Sequence, residues 1–170
     1  MPGKSTLYEQ GLETYPKSGA ILGNFVMLLW MALGTIACRF VSPLAGWLYL
    51  AFALGMVYVV LRKLVCTNCY YYDKWCAIGW GKLAARLFKQ GKIEHFSTCT
   101  GIKIAPATYG ALTLIPLVLL IISLVQQFSL LKIAVLILLL LISFYSGTVS
   151  RKKSCARCKM RLICPGSAVK

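Results

Sequence analysis

Seven of the eight cysteines lie in two groups: Cys66, Cys69, Cys76 and Cys99 in the middle of the chain, and Cys155, Cys158 and Cys164 near its end. Each group contains a Cys-x-x-Cys element, Cys66-Thr-Asn-Cys69 and Cys155-Ala-Arg-Cys158. Such a knuckle lets two sulfurs reach one ion at about 2.3 Å while nearby backbone amides hydrogen-bond the thiolates. Two knuckles supply a tetrahedral site. The simplest assignment joins Cys66, Cys69, Cys155 and Cys158 around one zinc, leaving Cys76, Cys99, Cys164 and His95 as a second three-cysteine, one-histidine set. A rival partition keeps Cys66, Cys69, Cys76 and Cys99 together and sends the later thiols elsewhere for a fourth ligand. His95, between Glu94 and Phe96, reads as a surface residue before it reads as a ligand, although its spacing to Cys99 suits coordination.

Zinc is the first expectation, because a small split domain that cannot bury enough apolar area gains folding free energy from a closed metal site. An iron-sulfur centre is the second. Cys164-Pro165 matches the cysteine-proline ending of ferredoxin motifs, but the tight Cys-x2-Cys-x2-Cys run is absent. A redox dithiol fits less well, since thioredoxin-type pairs open a helix after a strand. Tyr70, Tyr71, Tyr72, Trp75 and Trp80 would either shield a centre or anchor the chain at a membrane interface.

The segments that must position these thiols are apolar. The 170 residues are 59% hydrophobic, with a mean hydropathy of +0.74, more apolar surface than one small soluble core hides. Four stretches approach the roughly 20 residues that cross hydrocarbon as a helix: about 20–38, 44–61, 104–125 and 128–149. None alternates with a period of two, so the expected fold class is an all-α integral membrane protein with four transmembrane helices. The first stretch is long and begins late, which favours a true span over a cleaved signal; Cys38 is then a lone thiol at its outer end.

The net charge of +15 is unevenly distributed. Two basic residues precede the first span, eight separate the second from the third, seven follow the fourth, and Arg39 and Lys132 stand alone in the other two connections. Basic residues are retained inside during insertion, which predicts cytoplasmic termini and a cytoplasmic central loop in an inner membrane. Both cysteine groups then share the reducing face, where metal ligation is favoured over disulfides. Anionic lipid is the default counter-charge, and no nucleic-acid-binding motif accompanies the basic residues.

The expected organisation is an N-terminal cytoplasmic segment (1–19), a transmembrane hairpin (20–61), a cytoplasmic cysteine-rich loop (62–103), a second hairpin (104–149) and a cysteine-rich tail (150–170). The outer connections are too short to hold a site. Within the loop, 80–90 has helical periodicity: Trp80, Leu83, Ala84, Leu87 and Phe88 share one side and Lys82, Arg86 and Lys89 the other. This amphipathic helix either lies at the headgroups, with Trp80 in the interface and Lys82, Arg86 and Lys89 toward lipid or a partner, or packs on the cysteine module; Gly91 is its expected stop. Pro106 and Pro116 are expected to bend the third span.

No ionisable residue lies deep in these spans, which disfavours transport by a charged relay. Four acidic residues are too few for paired-carboxylate hydrolysis or magnesium-dependent phosphoryl transfer, and no nucleotide-binding or hydrolase motif occurs. The reading is a non-enzymatic accessory or adaptor subunit, whose partners are the bilayer and either other membrane subunits or further copies of itself. The alternative is an iron-sulfur redox subunit passing electrons between a cytoplasmic partner and quinone. That arrangement is similar in outline to quinol-dehydrogenase membrane subunits, which pair four spans with inner-face cysteines; the resemblance covers topology alone.

Overall fold

The structure, a computed structural model, describes residues 7–169. It is all-helical, and four helices are long and apolar enough to cross a membrane: Lys17–Arg39, Pro43–Asn68, Thr100–Gln126 and Leu130–Ala156. They are called spans one to four below. Between 17% and 33% of the most apolar window of each is buried within the protein. The rest presents side chains such as Phe25, Leu48, Val118 and Leu141 outward, as hydrocarbon requires.

Span one packs against the other three. Small residues let the backbones approach: Ala37 and Ala53 are fully buried, and a Cβ at Gly34 would collide with the Tyr49 side chain. Met31, Leu33, Val57, Leu112, Leu120, Val135 and Leu139 complete the core. Cys38 is buried in it as a lone thiol near the end of span one.

Span three runs unbroken through Pro106 and Pro116. Pro116 has no N–H for the carbonyl of Leu112 four residues earlier. The Tyr49 hydroxyl of span two donates to that carbonyl instead, at 2.8 Å, so the proline's missing donor is replaced by an interhelical bond. Trp30 Nε1 makes a second such tie to Ser143 Oγ at 3.0 Å. The connections after spans one and three are short turns. At the second of them the buried Lys132 ammonium donates to the carbonyls of Ser123 (2.8 Å) and Gln127 (3.0 Å), placing a cation on the C-terminal end of a helix.

Spans two and four are longer at the cysteine end than the hydropathy pattern suggests. Each passes through a six-residue π segment, Gly55–Val60 and Tyr145–Ser150, and then continues as a short α segment, Leu61–Leu64 and Arg151–Ala156. Arg62 and Lys63, read from sequence as loop, are therefore helical, and Arg62 is an ionisable residue buried inside a span.

Candidate functional site at the cysteine-rich end

The central loop, the C-terminal tail and residues 7–15 form one packed body at the end of the bundle. Its core is Tyr71, Phe96 and Met160, against which Leu7, Tyr15, Val65, Cys69, Cys76, Ile93, Cys158, Ile163 and Cys164 pack. The tail is tied to the loop through Tyr71, 2% exposed, whose hydroxyl accepts the Lys159 N–H at 3.1 Å and donates to the Leu12 carbonyl at 2.7 Å. Residues 8–12 run beside the tail as a strap: Leu12 N–H donates to Arg157 O and Tyr8 N–H to Lys159 O, both at 2.9 Å. The Tyr15 hydroxyl reaches Ser154 O at 2.7 Å. Glu13 accepts from the Lys159 ammonium and the Tyr70 hydroxyl, and these bonds hold its carboxyl below the usual range.

The two Cys-x-x-Cys elements fold alike. Cys69 N–H bonds Cys66 O (3.4 Å) and Tyr72 N–H bonds Cys69 O (3.0 Å); in the tail Cys158 N–H bonds Cys155 O (3.2 Å) and Arg161 N–H bonds Cys158 O (3.1 Å). The amide two residues beyond each of Cys69, Cys158 and Cys164, that of Tyr71, Met160 and Gly166, hydrogen-bonds the sulfur. Trp80 N–H does the same for Cys76, 3.1 Å from Sγ. Burial pushes the thiols of Cys69, Cys158 and Cys164 up, and these amides pull them partly back. A bound cation would reverse that balance, since a coordinating thiol is deprotonated outright.

Cys69, Cys76, Cys158 and Cys164 all pack on the one cluster of Tyr71, Phe96 and Met160, while Cys66 packs against the bundle core and Cys99 stands at the start of span three. His95 sits in a one-turn 3₁₀ segment, Ile93–His95, and is exposed. All eight cysteines are free thiols. Among the described residues, no group of three or more Cys, His, Asp or Glu side chains is arranged to hold a metal ion.

The helix of the loop covers Trp80–Leu87, entered through Gly79 at φ 70°, where a glycine avoids the cost of a left-handed backbone. It ends before the expected stop at Gly91. Phe88 is already extended, and its carbonyl accepts from the Tyr72 hydroxyl at 2.8 Å. Trp80 is buried in the bundle core, with its Nε1 donating to Asn24 Oδ1 of span one at 3.2 Å. Lys82 pairs with Asp73 at 3.0 Å, while Arg86, Leu87 and Lys89 are exposed.

Arg62 is the functional candidate that the sequence reading passed over. Its guanidinium is fully buried, and Nε, Nη1 and Nη2 all lack a hydrogen-bond partner. It sits in the corner between two aromatic rings, Cζ lying 4.2 Å from the Tyr58 centroid and 4.4 Å from that of Trp80. Desolvated cation–π contacts are worth about 2 kcal/mol, whereas burying an ion uncompensated costs several kcal/mol. Cys66 and Cys76 are among the groups that feel its charge. The signal for it was present in the sequence: Arg62-Lys63-x-x-Cys66-x-x-Cys69 repeats as Arg151-Lys152-x-x-Cys155-x-x-Cys158. Arg151 is exposed and donates from Nη2 to Gly166 O at 2.6 Å, beside Cys164.

Geometry and composition thus define an all-helical protein with four potential membrane spans and a packed, thiol-rich end. Comparison with protein-family models, curated proteins and solved structures finds no match.

Proposed function

We propose that this chain is a small, non-enzymatic accessory or adaptor subunit of a membrane assembly, whose cysteine-rich end binds a structural metal ion, zinc in the first place. The observation that carries the reading is the packing of loop and tail into one body in which four sulfurs, those of Cys69, Cys76, Cys158 and Cys164, each receive a backbone amide. That is how a metal knuckle stabilises thiolate ligands.

The distribution of Lys and Arg supports a cytoplasmic location for this end. There the exposed Arg86, Lys89, Lys152 and Lys153 present a basic surface to anionic lipid or to an acidic partner. The metal holds loop and tail in one shape so that this surface is kept.

Elemental analysis of the full chain, purified anaerobically in detergent, tests the reading. Zinc in stoichiometric amount in a colourless preparation is expected. Iron with sulfide and broad visible absorption would replace the adaptor reading with electron transfer, and a metal-free protein with seven freely titrating thiols would refute a metal module altogether.

A further inference from the structure

The exposed cations at the cysteine-rich end share a depth. Lys17 opens span one, Lys63 and Lys103 lie near the cysteine-end limits of spans two and three, and Lys152 and Lys153 lie near that of span four. All five are exposed. Counted from the far end of its own span, each stands 20 to 23 residues away. A rise of about 1.5 Å per residue puts them about 30–35 Å from that end, which is the thickness of a hydrocarbon core and the start of the phosphate layer. Among the described residues, ion pairs join Glu13 to Lys74 and Lys159 and Asp73 to Lys82, and none includes these five. The far end does not repeat the arrangement. Arg39 is exposed there, but Lys132 is buried and gives its donors to the carbonyls of Ser123 and Gln127.

The loop is held at the same depth. A Cβ on Gly79 would meet that of Ala20 at 3.2 Å, and one on Gly23 would meet the Ala77 carbonyl oxygen at 3.0 Å. The turn that enters the loop helix therefore rests on residues 20–23 of span one, about one to two turns inside Lys17, and Trp80 reaches Asn24 from there. The last turn of that helix and the residues after it present Arg86, Leu87 and Lys89 to the outside, an apolar side chain between cations. Interfacial helices carry that combination.

We propose that the lysines at the cysteine-rich ends of the four spans form a belt that gathers anionic phospholipid around this end of the bundle. A folded acidic protein covers one side of a bundle, whereas charges carried by all four helices at one level match a continuous layer of phosphates. The inference narrows the partner proposed above to lipid, and it does not require the metal.

The full chain reconstituted in phosphatidylcholine bilayers tests the proposal, with spin-labelled phosphatidylglycerol or phosphatidylcholine as the probe. Lipid beside the protein is motionally restricted, and the restricted fraction gives the relative association of the two. One lysine favours an adjacent anionic headgroup by roughly 5-fold. Averaged over two leaflets, of which one faces the belt, the expected preference for phosphatidylglycerol is roughly 3-fold. It should shrink in 1 M salt, where the screening length is about 3 Å, and a zinc chelator should leave it unchanged. Replacing Lys17, Lys63, Lys103, Lys152 and Lys153 together by Gln should remove most of it, and replacing the same five by Arg should retain it. Equal restriction of both lipids by the parent chain would overturn the proposal and leave the cations to an acidic protein surface. An undiminished preference in the Gln variant, or its loss in the Arg variant as well, would overturn the role of the belt. None of these outcomes bears on whether the thiols hold zinc.

Discussion

Replacing Tyr71 by Phe removes one oxygen from the body that joins the strap, the loop and the tail, and its effect follows from two bonds. The hydroxyl is the partner of the Lys159 amide at 3.1 Å and of the Leu12 carbonyl at 2.7 Å. Leaving a buried donor or acceptor unpaired costs about 1–3 kcal/mol each. Leu12 and Lys159 are both partly exposed, so water offsets part of the loss and the lower bound applies to each. The sum is about 2 kcal/mol, equivalent to a roughly 30-fold rise in local opening. The ring remains, so packing against Phe96 and Met160 is retained. Hydrogen exchange of the detergent-solubilised protein, read on peptides covering residues 7–15 and 155–162, should show the change in both at once. Peptides from the four spans should exchange as in the parent protein, because the opening is local. Unchanged exchange in the strap and tail peptides would refute the argument that this hydroxyl holds them together.

Two further outcomes follow from the same end of the molecule. The Lys159 and Tyr70 bonds depress the Glu13 carboxyl, so the strap contact is fully present above the ordinary carboxylate value and is lost as pH falls through the lower folded value. Lys159 is raised by Glu13, so its share is present below the ordinary lysine value and lost as pH rises through the higher one. Proteolysis of residues 7–15 should therefore be slowest between these limits, and Glu13→Gln should flatten the profile. Gly81→Ala would drive a Cβ onto the Tyr71 carbonyl oxygen, costing about 3 kcal/mol or more; thiol-reagent labelling of Cys69 and Cys76 should accelerate several-fold, while Gly110→Ala, which meets nothing, should leave it unchanged.

The four spans were readable because a bilayer imposes a length and a composition that leave a plain mark on the chain. Their inner limits were not. Arg62 and Lys63 end an apolar run, yet helix geometry continues past them, because Arg62 turns its guanidinium onto Tyr58 and Trp80 and so remains within the bundle. The loop helix was read three residues too long, since periodicity at 88–90 carries no sign of the Tyr72–Phe88 bond that draws the backbone out. Residues 1–19 read as a surface segment, but Leu7 and Tyr15 pack into the second core and Glu13 faces Lys159. Long-range pairing of that kind leaves no local pattern. That Cys69, Cys76, Cys158 and Cys164 pack on one small core depends on which turns come together, which spacing does not encode.

The strap has a consequence for how the protein is made. Glu13 and Lys159 meet across 146 positions of chain, with all four spans between them. While the ribosome is still delivering spans three and four, residues 8–13 have emerged but have nothing to dock against. Closing so distant a contact is slow and comes late in folding. The strap can therefore dock on the tail only after the fourth long helix has been made, so the contact of Glu13 with Lys159 marks a chain synthesised through to its cysteine-rich tail.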